Sequence, residues 1–273
     1  MSQFLVLIGD NLKNALKSKK AIVFLALYLI LFSLLVYAIK EVQRQFFTQL
    51  AMQGNPEVTP MFFEVMKGFL RLNSDEFIKA LFSLPVYSLQ LFSVTLFGTP
   101  ILLLLVHYDK IAQEISDGTY RYLLFRTSRA KIYWSKFASV AIEITIVTFL
   151  ATLFAIVYGH FSLNFFQTEE VIRASLRFWL AGLPFLFSFS ALVLMFSAMV
   201  KRPFSALLLS AATIICAALV MIWTPEVSPF YLEYWKGFFL PGTPLMLKSV
   251  MIYLGFTALF SGAGFLIFKN RDL

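Results

Sequence analysis

Apolar residues in this chain do not alternate with polar ones; they arrive in six long runs. The runs occupy approximately residues 21–39 (AIVFLALYLILFSLLVYAI), 81–106, 137–159, 178–200, 204–223 and 249–268. A helix crosses a hydrocarbon core of roughly 30 Å with about 20 apolar residues, and each run is of that length. The pattern predicts an all-α integral membrane protein, one transmembrane domain over residues 1–273, with no internal repeat and no long linker. Between the fourth and fifth runs stands little more than Lys201-Arg202-Pro203. Proline cannot continue a helix without losing a hydrogen bond, so this connection is a tight turn between antiparallel helices. The first run is longer than a usual signal core and leads into KEVQRQ, so a retained helix is expected.

The segments between the runs carry patterns of their own. In residues 1–20, Phe4, Ile8, Leu12, Ala15 and Leu16 fall on one helical face, with Asp10, Lys13, Asn14 and Lys17 elsewhere. This suits a helix lying in the membrane interface with its lysines near anionic headgroups; a polar tail that stops translocation is the other reading. In the loop 40–80, Met61, Phe62, Val65, Met66, Phe69 and Leu70 repeat at helical spacing opposite Glu64, Lys67 and Arg71, as in an amphipathic helix on the outer ends of the spans. Residues 224–248 combine four prolines with a group of aromatic residues. Either they form a re-entrant pair capping the outer side, with Phe230, Tyr234, Trp235 and Phe238 as an outer gate, or they rest as an aromatic belt at the headgroups.

Composition supports the membrane reading and adds a direction. Hydrophobic residues make up 59% of the 273 and charged residues 14%, with a mean hydropathy of +0.79; soluble domains spend about a quarter of their residues on charge. Fourteen of the 23 Lys and Arg fall on the N-terminal segment, the loop after the second run, the Lys201-Arg202 turn and the C-terminal tail. Basic loops stay inside, which predicts a cytoplasmic (inner or plasma) membrane protein with both termini cytoplasmic. The single cysteine, Cys216, sits in an apolar run, so no intramolecular disulfide forms, and no metal-ligand spacing is present. His107 and His160 lie at opposite ends of their spans, about 30 Å apart, which excludes a shared metal or protease centre and leaves two interfacial residues without chemistry. Glu143 is the lone acid within a run. Such a group faces a cavity or a polar partner: it lines a route or tunes an inner gate, or it bonds to a neighbouring helix. Small residues in the fifth run (Ser205, Ala206, Ser210, Ala211) and late in the sixth (Gly255, Gly262, Gly264) permit close helix approach, within one subunit or at a dimer seam.

One stretch stands apart. Gln113 to Lys136, QEISDGTYRYLLFRTSRAKIYWSK, carries seven charges, five of them basic, between two apolar runs. The helix of the second span should continue through His107, Tyr108 and Gln113 until Asp117-Gly118 breaks it. Beyond the break, Tyr120, Leu123 and Leu124 form an apolar edge flanked by Arg121 and Arg126, facing the cytosol. Thr127-Ser128 then cap a helix whose basic entry is Arg129, Lys131 and Lys136. The pattern is a short helix lying crosswise at the membrane surface, longer than any mere connector requires.

With the six-span plan, these residues resemble the permease subunit of ABC-2-type ABC transporters. The resemblance runs through Glu114, Gly118-Thr119, Leu123-Leu124, Ser128-Arg129 and Ser135-Lys136, with Thr127 where that family often has proline and Ser135 in place of a glycine. It implies that the crosswise segment is a coupling helix docking on a cytoplasmic ABC ATPase subunit. The docking set would be Glu114, Asp117, Gly118, Thr119, Arg121, Leu123, Leu124, Arg126, Ser128 and Arg129. A P-loop needs a glycine-rich turn ending in Lys-Ser/Thr, and the nearest stretch, GFFLPGTP from Gly237 to Pro244, lacks the lysine. The chain is therefore expected to be no enzyme and to hold no cofactor itself. The resemblance places ATP and Mg in the partner ATPase and a second permease copy, identical or related, alongside, in the lipid bilayer and without nucleic acid. The importer permeases of the superfamily carry a Glu-Ala-Ala…Gly loop near the C-terminus that this chain lacks, so export or extraction is expected. Two other classes stay open: a non-transporting scaffold with the same docking helix, and an ion-driven secondary carrier, against which stand the few intramembrane charges.

Overall fold

The computed structural model describes residues 3–53, 86–162, 168–224, 232–235 and 243–271. Its α-helices, numbered in chain order, are α1 (Gln3–Lys17), α2 (Lys20–Gln53), α3 (Val86–Ser93), α4 (Thr99–His107), α5 (Ala112–Ser116), α6 (Thr119–Arg126), α7 (Arg129–Ser162), α8 (Thr168–Met199), α9 (Pro203–Trp223) and α10 (Thr243–Lys269). Among the described residues there is no strand, and six helical stretches are long and apolar enough to cross a membrane. The expected helix around Met61 to Leu70 lies outside the described residues, as do Phe230 and Phe238.

The spans are longer than their apolar runs. α2 continues to Gln53, through what the falling hydropathy suggested was a loop beginning at residue 40. KEVQRQFFTQLAMQ contains neither glycine nor proline, so nothing in it ends a helix once the apolar run stops. α7 begins at Arg129, not 137, and α8 at Thr168, not 178. Their charged first turns stay helical because the charges find partners, as in the Glu169–Arg173 pair at 2.8 Å. The Lys201-Arg202-Pro203 turn matches expectation: Arg202 is extended and Pro203 opens α9, where its missing N–H costs nothing.

The second span is not one regular helix. Val94–Gly98 forms a π-helical turn between α3 and α4, in which both the amide and the hydroxyl of Thr99 bond to the carbonyl of Val94. Pro100, which cannot donate to an earlier carbonyl, follows directly. Hydroxyls repair the ladder: Thr95 donates to the Leu91 carbonyl at 2.8 Å, and Tyr28 of α2 meets Thr95 at 2.9 Å. The same span also ends earlier than the sequence suggested. Residues 108–111 turn, and α5 starts afresh because the backbone amides of Ile111 and Ala112 both donate to Ser197 Oγ of α8 at 3.0 Å. A side chain on another helix thus acts as the cap that α5 lacks.

α8 is the centre of the bundle and packs on α3, α4, α7, α9 and α10. About two thirds of its spanning stretch is buried (67%), against 17% for α9 and for α10. The pairing of α8 with α10 is the closest: a Cβ on Gly264 would lie 3.0 Å from the Cα of Met195. Polar cross-links tie α8 to α3 and α7 as well. Ser88 meets Ser175 at 3.0 Å, and Trp179 Nε1 donates to Thr148 Oγ1 at 3.2 Å, bonds that average about 0.6 kcal/mol inside membranes. At the end of the bundle away from the termini, Trp235 is enclosed by Phe92, Phe185 and Tyr253, with ring centroids 4.9, 5.4 and 5.7 Å away.

These glycines separate two effects. Gly264→Ala, whose Cβ would meet the Tyr133 hydroxyl of α7 and the Met195 backbone of α8, should destabilise the seat of α10 on both helices by about 1–3 kcal/mol through overpacking, seen as a lower unfolding midpoint in detergent. Gly262→Ala, whose Cβ would meet nothing within 4 Å, should be neutral or stabilise by about 0.5–1 kcal/mol through helix propensity. Equal behaviour of the two would contradict the seam.

Candidate functional site

Both described termini meet the Gln113–Lys136 stretch at one end of the bundle, the basic end. Here α5 stops at Asp117-Gly118. Gly118 adopts φ 72° and ψ 2°, the left-handed conformation that glycine reaches without Cβ strain. It lets the chain reverse from α5 directly into α6. The expected break is therefore real, although it ends the short α5 and not a prolonged second span.

α6 divides sharply into two faces. Tyr120 is buried with its ring 5.1 Å from that of Phe268 in α10, and Leu123 and Leu124 pack against the core. Burial, with Glu114 nearby, pushes the Tyr120 phenol well above its ordinary range, so it stays neutral. The opposite arc is Thr119, Tyr122, Phe125 and Arg126, all exposed; Tyr122 and Phe125 are 76% and 88% so. Leu123 and Leu124, expected to face the cytosol, instead hold this helix to the bundle, and the aromatic pair Tyr122 and Phe125 faces out. The signal was present, since residues 122, 125 and 126 lie opposite 120, 123 and 124 at 100° per residue. The Arg121 side chain lies outside the described part.

Glu114, expected in the docking set, turns inward to pair with Lys136. The acidic and basic ends of the motif therefore grip each other across 22 residues. Two further pairs flank this one. Lys20 Nζ donates to both oxygens of Asp109, at 2.7 and 2.5 Å. Lys110 pairs at 3.3 Å with Glu143, whose side chain is only 3% exposed. The lone intramembrane acid thus has a cationic partner from the turn after α4. Lys20, Asp109, Lys110, Glu114 and Lys136 of these pairs border a polar cavity of about 390 Å³, lined on one side by Asn11, Asn14 and Ser18 of α1 and its turn, with the exposed Asp117 also on its lining.

α1 rests on the start of α7. Ala15 is buried, Asn11 donates to Ser135 Oγ at 3.5 Å, and Lys131 donates to Gln3 Oε1 at 3.0 Å. Of the apolar face expected to lie in the membrane interface, Ala15 is buried against the bundle and Leu16 is exposed. Ser128 caps α7 as expected, its Oγ accepting from the Lys131 amide at 3.4 Å. Arg129 does not face outward either: its guanidinium donates to the main-chain carbonyls of Lys269 and Arg271 at 2.7 and 2.5 Å. His107, expected at the inner end of its span, ends α4 and is covered by protein. It is 1% exposed, with its ring 6.0 Å from Phe24. Of the outer aromatic group, Trp235 is wholly buried and Tyr234 lies beside Tyr253 at 6.3 Å.

Fold and site together define a multi-pass helical membrane protein with a short helix, exposed along one face, at its basic end. Residues 5–232 match the family model described as ABC-2 family transporter protein, and the chain belongs to that family. It is the transmembrane part of an ABC transporter. Comparison with curated proteins returned no match.

The buried pair gives a direct test of the site's electrostatics. Lys110→Met strands the Glu143 carboxylate and should cost about 3–5 kcal/mol of stability. The double variant Lys110→Met/Glu143→Leu should recover most of that loss. Denaturant midpoints of the purified chain in detergent measure both; equal losses would mean that the pair is not coupled.

Proposed function

We propose that the chain is the permease subunit of an ATP-driven exporter or extractor whose ATP and Mg are bound and hydrolysed in a separate ABC ATPase chain. The observation that carries this reading is the outward arc of α6. An aromatic pair at the apex of a helix fixed on its other face has the make-up of an interface anchor: rigid aromatic rings and an arginine dominate such contacts, and burying them supplies most of the binding energy. We place the ATPase on Thr119, Tyr122, Phe125 and Arg126, with Glu114, Leu123, Leu124, Ser128 and Arg129 as the framework that presents them and Gly118 as the turn that frees them. The excess of Lys and Arg at this end supports a cytoplasmic position for it and for both termini.

In this reading two permease chains stand side by side with two ATPases beneath. ATP draws the ATPases together, because it binds one arrangement better than the other, and α6 carries that displacement into the spans. The Lys110–Glu143 pair serves as an inner gate, and the aromatic group around Trp235 closes the outer end.

The test is co-purification. The wild-type chain, extracted gently, should bring down an ATPase. Tyr122→Ser/Phe125→Ser should lower its affinity for that ATPase by about tenfold or more, while membrane insertion and the unfolding midpoint stay as they were. Full retention of the ATPase would place docking elsewhere. Retention together with no ATP-dependent flux would favour a scaffold.

A further inference from the structure

The last four carbonyls of any helix have no partner within it. At the basic end, the carbonyl ends of α8 and α10 are each filled by an arginine. Arg129, the first residue of α7 after the docking segment, donates from one guanidinium nitrogen to Phe268, Lys269 and Arg271 at 3.5, 2.7 and 2.5 Å. Arg271, just past the end of α10, reaches the carbonyls of Ala198 and Val200 at the end of α8, at 2.5 and 3.1 Å. A cation at a helix C-terminus also meets the negative end of the dipole. The contacts therefore form a series: from α6 through Arg129 to α10, then through Arg271 to α8.

A second set of contacts runs in parallel. Phe268 carries Tyr120 of α6 on its ring and lies 6.1 Å from Tyr133 of α7. Above it, Gly264 seats α10 on α8 closely enough that the two helices have no room to slide past each other. α9, by contrast, is joined to α8 by a turn and leaves a pocket of about 120 Å³ lined by Phe189, Leu192, Thr213, Ala217 and Phe260. The residues that close the series, Phe268 to Arg271, lie beyond the 5–232 matched by the family.

We infer that Phe268–Arg271 is a latch, with Arg129 and Arg271 as positioning residues that make α8 and α10 follow the docking helix α6. The inference rests on the proposed docking of an ATPase. The Arg271 side chain reaches only the Ala198 and Val200 carbonyls, and Arg129 meets its main-chain carbonyl, which Arg271→Ala keeps, so loss of the side chain leaves the ATPase bound and cuts only what is transmitted.

The experiment uses the full chain with its co-purified ATPase, in a Cys216→Ser background carrying Thr213→Cys as a thiol reporter in the pocket between α8, α9 and α10. Adding ATP with Mg should change the alkylation rate of this thiol several-fold. Arg271→Ala should reduce that ATP-dependent change at least fivefold, with co-purified ATPase unchanged. Arg271→Lys, which keeps a charged donor at the end of α8, should restore at least half of it, and it carries the test alone if the alanine variant unfolds. A full ATP response in Arg271→Ala, or no response in the parent reporter, overturns the latch while docking stands. Absence of any co-purifying ATPase overturns the docking reading, and the latch falls with it.

Discussion

A charge at the edge of the hydrocarbon has to find a counter-charge on another element, and at the basic end of this bundle that requirement is met by three lysine–carboxylate pairs. Asp109 is held by Lys20 of α2, Lys110 by Glu143 of α7, and Glu114 of α5 by Lys136 of α7. Two unit charges 4 Å apart attract by roughly 4 kcal/mol at an effective dielectric of 20, and desolvation offsets much of that. What the pairs contribute is register. The four-residue turn after α4 and the five residues of α5 are pinned from both sides, and with the Ser197 cap they have one position available. α6 inherits that position through Gly118.

This fixes how the proposed docking segment is presented. A docking segment has to be both firmly attached and free to touch a partner, and a helix of eight residues cannot meet both demands with the same side chains. Here the conspicuous apolar and charged residues are used for attachment: Tyr120, Leu123, Leu124, Glu114 and Arg129 all face the bundle. Thr119, Tyr122, Phe125 and Arg126 are left exposed.

The sequence showed the architecture because hydrophobicity over a span is a sum, and sums survive local errors. Six apolar runs, the Pro203 turn, the Gly118 break and the Ser128 cap were legible, each from a residue whose local chemistry leaves little choice. Helix ends were not legible where the apolar run and the helix part company: α2 needs a breaker to stop it, and none is present before Gln53. The ion pairs were invisible because partners such as Lys20 and Asp109 stand 89 residues apart, and only the fold says that they meet. The orientation of α6 was misjudged for a different reason. Its hydrophobic residues outnumber the face available to bury them, so naming an apolar edge did not say which apolar residues are inside; the reach of Phe268 decided it.

Packing also says where relative motion is cheap. Interiors at close-packed density do not deform continuously; they move as bodies along seams where contact is loose. The α8–α10 seam has Gly264 set close against the Met195 backbone and offers no slack. The α9 side has small residues and a pocket of about 120 Å³. In the proposed latch, a displacement entering at the basic end is carried by α8 and α10 together and taken up against α9. The π-helical turn in the second span, with its hydroxyl-repaired ladder at Thr95 and Thr99, is where the ordinary hydrogen-bond pattern of that span is already broken, so bending there sacrifices the least. Rigid where the polar pairs and glycine contacts are dense, and yielding where neither is present, the bundle has its moving parts set by the same contacts that hold it together.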